Sequence, residues 1–137
     1  MILCNSSVLV DIDRGNGMDR IERLDSERPL GISVVTETEL RLGVEKQYER
    51  GTAEFEGAMS QLDALLSRFE VLPVGRSVSQ RAARILASLE ADGNPLHDLH
   101  DVYIGATAAV DDMPVLTANV SHFERIDGVR VRDWQQY

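Results

Sequence analysis

The sequence predicts an α/β fold in which a parallel central sheet carries helices on both faces. Two observations point there. Short apolar runs of strand length alternate with longer segments whose apolar residues recur at helical spacing. Turn signals such as Gly15-Asn16-Gly17 and Gly51-Thr52 separate the segments. A chain of 137 residues is expected to form a single domain over 1–137, long enough to bury a sizeable core.

The elements follow in order. Ile2 to Cys4 reads as a short buried strand, and Ser6 or Ser7 as the cap of a following helix. After the Gly15-Asn16-Gly17 loop, Met18 to Leu24 is a short amphipathic helix closed by a polar stretch and Pro29. Gly31 to Val35 is a second buried strand. Thr36 with Glu39 three residues on is a capping-box pattern that starts a helix running to about Arg50. Ala53 to Arg68 places Phe55, Met59, Leu62, Leu65 and Leu66 at helical spacing. Phe69 to Val74 is a third strand. Ser77 opens a helix that ends near Gly93 before an Asn94-Pro95 turn. Asp98 to Val110 is helical, Pro114 to Leu116 is a fourth strand and Val129 to Val131 a fifth.

Composition narrows the functional classes. Hydrophobic residues make up 43% of the chain, ordinary for a soluble globular protein. No apolar run reaches the ~20 residues that span a bilayer, and the start lacks a signal-peptide pattern. A cytoplasmic protein is therefore expected. Cys4 is the only cysteine, which excludes an intrachain disulfide and a cysteine zinc cluster; in a first strand it reads as a small hydrophobe. Acidic residues outnumber basic ones 23 to 14, for a net charge of −9, which disfavours non-specific nucleic-acid binding.

The acids fall at telling places on this frame. Asn5 ends strand one, and Glu39 lies in the first turn of the helix after strand two. Asp98 and Asp101 open a later helix, and Asn119 follows strand four in LTANVSHF. In a parallel sheet such points share one edge, where ligands and catalytic groups collect. Oxygen donors from several loops suit Mg²⁺ or Mn²⁺, ions that promote phosphodiester hydrolysis. Each residue also has a plainer reading. Glu39 serves equally as a capping partner, and Asp98 and Asp101 as complements of a helix dipole. Asn119 serves as a turn residue and Asn5 as a helix cap. His97, His100 and His122 have no clean ligand spacing and read as surface or structural histidines, and Asp11 and Asp13 as solvent-facing.

Four blocks in order give the chain a family likeness. MILCNSSVLVDI resembles the opening of VapC toxins in the PIN-domain family, a hydrophobic strand followed by Asp, Thr or Ser, Ser and an apolar residue. ISVVTETELRLGV is similar to their Ser-x-x-Thr-x-x-Glu-Leu-x-x-Gly block, and HDVYIGATA to Asp-x-x-Ile-Ala-Ala. VLTANVSHFERIDGVRVRDW resembles the closing Thr-x-Asn-x-x-x-Phe block with its strand and Asp-Trp. The likeness implies a three-layer α/β/α sandwich and a metal-dependent endoribonuclease using Mg²⁺ or Mn²⁺. It also implies a homodimer, a VapB-type antitoxin and RNA as substrate. Its acids fall here on Asn5, Glu39 and Asp101, with Asn119 at a fourth position, Asp98 as an extra carboxylate, and Ser7 and Thr117 as supporting hydroxyls. Arg14 and Arg41 are the first candidates for holding flanking phosphates, although each serves equally as a solvated surface arginine.

Asn5 departs from the pattern, which has Asp there as a direct ligand. An amide keeps the shape but loses the charge and presents an NH₂ that a cation repels. It reads as an aspartate position exchanged for its isostere, by engineering or by natural decay. Two rivals stand beside the nuclease: a non-catalytic protein of the same fold that binds RNA or antitoxin, and a phosphoacceptor receiver domain. The receiver needs a lysine after a late strand, but the one lysine, Lys46, lies mid-helix.

Overall fold

A computed structural model describes residues 1–93 and 98–137. Five strands form one sheet: β1 (Ile2–Cys4), β2 (Leu30–Ser33), β3 (Glu70–Leu72), β4 (Val115–Thr117) and β5 (Val131–Asp133). Their order is β3-β2-β1-β4-β5, and every pairing is parallel. The helices are α1 (Ser6–Asp13), α2 (Met18–Glu27), α3 (Val34–Gln47), α4 (Ala53–Leu66), α5 (Arg76–Ala91), α6 (Leu99–Val110) and α7 (Val120–Glu124). A 3₁₀ turn, Trp134–Gln136, follows β5. This is the predicted three-layer α/β/α sandwich.

Alternation along the strands divides the core in two. Ile2 and Cys4, with Ile32 and Leu116, face the layer that supplies Leu9, Ile21, Leu62 and Trp134. Leu3 and Val115 face the opposite layer, where Ile85, Leu89, Val102, Ile104, Phe123 and Ile126 pack. Successive strand residues point to opposite faces, so a strand covered on both sides must be apolar throughout. Cys4 is fully buried, and burial pushes its thiol pKa up to about 12, which leaves it an inert core residue as expected.

Several expected boundaries shift. The cap of α1 is Asn5, whose side chain accepts the Ser7 amide, rather than Ser6 or Ser7. Helix α3 begins at Val34, capped by Ser33 Oγ at 3.1 Å from the Val35 amide. Thr36 therefore lies inside the helix, buried and without a partner for its hydroxyl among the described residues. Val34 and Val35 resemble strand continuation, but β2 ends where Ser33 can satisfy the helix's free N–H groups. Strand β5 sits two residues later than expected, because its register opposes Val131 to Val115. The residues before it form a turn through Gly128, which takes φ +83°. Helix α7 and the 3₁₀ turn are too short to show a hydrophobic period, so the sequence pattern gives no sign of them. The Asn94-Pro95 turn and His97 lie outside the described residues. Among those residues, no helix is long and apolar enough to cross a membrane.

Candidate active site

The carboxyl ends of β1 and β4 meet in a hydrogen-bonded knot. Asn5 is 3% exposed, and its Oδ1 accepts from the Ser7 amide at 3.2 Å, Ser7 Oγ at 2.9 Å and Thr117 Oγ1 at 3.2 Å. Both hydroxyls also accept a backbone amide. Ser7 Oγ accepts the Ala118 amide at 3.0 Å, and Thr117 Oγ1 accepts the Asn119 amide at 2.9 Å. Each hydroxyl keeps its own proton and lies within reach of Asn5 Oδ1, and the two hydroxyl oxygens stand 3.4 Å apart. Three donors thus converge on one oxygen, the environment that a carboxylate fills best. Ser7 and Thr117 hold position 5 in place; their hydroxyls are spent on this knot rather than free for a substrate.

The acids gather near that edge from two helices. Glu39 lies in the second turn of α3 rather than the first, since α3 starts at Val34. It is therefore not a capping-box partner, and its carboxylate is free for other work. Asp98 caps α6 through the His100 amide at 2.9 Å, and Asp101 in the first turn is 5% exposed. Two imidazoles tie the acids together. His100 Nδ1 lies 3.5 Å from Glu39 Oε1 and 3.8 Å from Asp98 Oδ1. His122 Nδ1 lies 3.1 Å from Asp101 Oδ2. Neither histidine has ligand spacing in the sequence; only the meeting of α3, α6 and α7 reveals them. Asn119 caps α7 from an exposed position, with its side chain making no capping bond.

Burial, more than any neighbour, raises the proton affinity of Glu39 and of Asp101. For Glu39, His100 opposes the rise while Asp98 and Asp101 add to it. For Asp101, Asp98 adds, and His122 and Arg125 oppose. The three carboxylates therefore lie within each other's field, a repulsion that a hard divalent cation relieves, and an all-oxygen set suits Mg²⁺ or Mn²⁺. Among the described residues, no three His, Cys, Asp or Glu groups stand together as ready ligands of one ion. That places weight on the group at position 5.

The raised proton affinity carries a stability consequence. An acid that holds its proton more tightly folded than unfolded lowers stability above its folded pKa, and stability returns as pH falls through it. Asp101→Asn keeps the side chain's shape without the buried charge. We expect the metal-free variant to melt higher than the parent at neutral pH, with the difference shrinking as pH drops toward the ordinary carboxylate range near ~4. Thermal melts across that range in EDTA check it, and an Asp101→Asn protein that melts lower at neutral pH contradicts it.

The two arginines proposed for phosphate stand elsewhere. Arg41 is held by Glu37 at 2.8 Å and Asp63 at 2.9 Å, bridging α3 to α4. Its i,i+4 acid and the facing helix claim the guanidinium. Arg14 is exposed at the carboxyl end of α1, a helix length of about 12 Å from the end that Asn5 caps. Asp11 is likewise not solely a solvent-facing acid, since its Oδ2 accepts Trp134 Nε1 at 3.0 Å.

Residues 2–129 match the PIN domain. The chain belongs to the PIN-domain family. Within this PIN family it is similar to VapC proteins. It is 35% identical over 105 residues to the tRNA(fMet)-specific endonuclease VapC of Salmonella typhimurium, covering 75% of this chain and 74% of that one. It is 30% identical over 132 residues to ribonuclease VapC10 of Mycobacterium tuberculosis, covering 95% and 91%. Among solved structures, FitAcB from Neisseria gonorrhoeae superposes with a TM-score of 0.83 at 27% identity over 100% of both chains. DNA-bound VapBC from Salmonella typhimurium gives 0.82 at 27% identity over 97% of each. The PIN-domain fold expected from the four sequence blocks is the one present.

Proposed function

We propose that this PIN-domain chain is the endoribonuclease toxin of a toxin–antitoxin pair, and that Asn5 holds its activity down. What supports the reading is that Glu39, Asp98 and Asp101 lie within each other's field, and that the buried side chain of Asn5, at the carboxyl end of β1, receives three donors on one oxygen. With aspartate at position 5, that residue joins Glu39, Asp98 and Asp101 as the holders of Mg²⁺ or Mn²⁺. Bound there, the cation supplies a Lewis acid that lowers the pKa of water and neutralises phosphate charge.

The chain's own groups do the rest. Glu39 or Asp101 orients the attacking water toward the scissile phosphate. His122 fixes the rotamer of Asp101 through Oδ2. His100 spans Glu39 and Asp98 and limits their mutual repulsion. Asn119, at the same edge, is placed to contact the RNA strand. Residues 1–137 act as one PIN-like domain in the cytoplasm, where the RNA is.

The partners follow from the same reading: a VapB-type antitoxin and a second copy of the chain. Val34 and Leu42 on α3 and Leu99 on α6 are exposed apolar residues. Light scattering is expected to give twice the chain mass, and a monomer at high concentration overturns the dimer. The functional test is cleavage of total cellular RNA by the Asn5→Asp variant beside the unaltered chain. Cleavage by neither, across several RNAs and both metals, leaves a PIN-fold protein that binds RNA or antitoxin without turnover.

A further inference from the structure

Between α5 and the segment that ends α7 lies a cavity of about 300 Å³ with a different character. Arg81 and Arg84 of α5 and Arg125 at the end of α7 line it, over an apolar floor of Ile85, Leu89 and Ile126. Residues 81, 84, 85 and 89 share one face of α5, so a single helix delivers both the charges and the floor. Asp127 stands on its wall, but among the described residues none of the three arginines forms an ion pair. Among the described residues only Arg41, Arg50 and Arg130 are paired with a carboxylate, so what distinguishes Arg81, Arg84 and Arg125 from the other unpaired arginines is that all three line one cavity. Arg81 goes further: its Nε is buried with no hydrogen-bond partner among the described residues. A buried guanidinium N–H left unpaired is costly, and the exposed terminal nitrogens of such a side chain gain most from an anion with several acceptor oxygens.

The cavity is joined to the acids through α7. Arg125 Nε donates to the His122 carbonyl at 3.3 Å, and the His122 ring contacts Asp101. We propose that Arg81, Arg84 and Arg125 form a phosphate-binding subsite that holds the RNA backbone beside the scissile position. The forked guanidinium matches two phosphate oxygens at once, and the apolar floor receives the face of a sugar or base. A strand approaching a chain of net charge −9 needs such a local basic foothold, because the overall field repels it. The subsite binds RNA without reading sequence, since phosphate contacts fix register and carry no base information. It rests on the ribonuclease reading and extends it from the reacting centre to the strand.

The test uses the unaltered chain and a labelled 2′-O-methyl RNA decamer, which cannot be cleaved, followed by fluorescence anisotropy in EDTA over a range of NaCl. Arg84→Gln with Arg125→Gln removes two of the cations without touching the buried floor. The expected result is binding weakened about tenfold or more for unrelated sequences alike, with the log–log salt slope shallower by about 0.7 for each phosphate no longer held. Arg81→Gln alone is expected to act in the same direction, and Arg50→Gln is the control that leaves binding unchanged. A double variant that melts normally yet keeps the parent affinity and slope overturns the subsite. So does arginine-dependent capture of a polyglutamate peptide with RNA binding unmoved, which assigns the cavity to an acidic protein segment. The nuclease reading fails separately. Arginine-dependent binding with no cleavage by Asn5→Asp keeps the subsite and loses the nuclease. Cleavage by Asn5→Asp whose KM ignores the arginine substitutions does the reverse.

Discussion

Asn5→Asp is expected to turn a nearly silent chain into one that cleaves RNA in Mg²⁺ or Mn²⁺ and stops in EDTA. The structural cost of the exchange is small. Ser7 N, Ser7 Oγ and Thr117 Oγ1 already donate to one side-chain oxygen at 2.9–3.2 Å, and a carboxylate oxygen accepts those bonds more strongly than an amide. What changes is the other terminal atom. In asparagine it is an NH₂ that makes no hydrogen bond among the described residues; in aspartate it becomes an oxygen sharing a full negative charge. That oxygen adds to a set in which Glu39, Asp98 and Asp101 already repel one another. Removing a supporting partner of a metal ligand lowers affinity or activity by ~10–100-fold, so recovering a ligand should raise cleavage by at least that much. Expression of the variant should also slow growth unless an antitoxin is co-expressed. A side-by-side assay on total RNA decides it, with Asn5→Asp/Asp101→Asn expected to fall back to the parent's level. An Asn5→Asp chain no more active than the parent, in either metal, contradicts the assignment.

Trp134→Ala is expected to destabilise the fold by about 3–5 kcal/mol, the range for emptying a buried aromatic site. The indole is fully buried in the α1–α2–α4 core, although it lies close to the end of the sequence. Its Nε1 donates to Asp11 at 3.0 Å, Arg20 stacks over it at 5.3 Å and also bonds its carbonyl at 3.2 Å. Gly17 shows how tightly the ring is seated. At φ +80°, a Cβ on Gly17 would stand 2.5 Å from the indole, so only glycine suits both the backbone and the contact. Truncation leaves a hole that the surrounding helices cannot fill. Urea titration should show a large fall in midpoint with little change in slope. Trp134→Phe, which keeps much of the volume and loses the Asp11 bond, should cost less, about 1–2 kcal/mol. An alanine variant within about 1 kcal/mol of the parent would mean that the tail is not part of the cooperative core.

The fold is legible in the sequence because its signals are local. Ile2–Cys4 and Ala53–Leu66 can be read within two residues of their observed ends, since burial period and turn residues lie within the segment itself. So can the parallel pairings, because helices between strands force crossovers. The candidate acids are legible for the same reason: strand ends and helix starts of a parallel sheet share an edge, and counting along the chain puts Glu39, Asp98 and Asp101 near strand ends or helix starts. The start of α3 is not, because Ser33 and Thr36 are both acceptable caps in isolation. Pairing of Ser33 with Leu72 at the end of β2 chooses between them.

What the sequence by itself determined is the alternation of elements, the inertness of Cys4 and three candidate acids, Glu39, Asp98 and Asp101, that lie within each other's field. Each depends on residue type and spacing along the chain. What only the tertiary structure decided is which side chains are already spoken for. Arg41 is claimed by Asp63, twenty-two residues away, and His122 finds Asp101 across twenty-one. Ser7 and Thr117 meet over Asn5 across more than a hundred. Three arginines from α5 and α7 close on one cavity. Hydrogen bonds and ion pairs act over a few ångströms of space whatever the separation along the chain. Their partners are therefore fixed only once the sheet order and the helix packing are fixed.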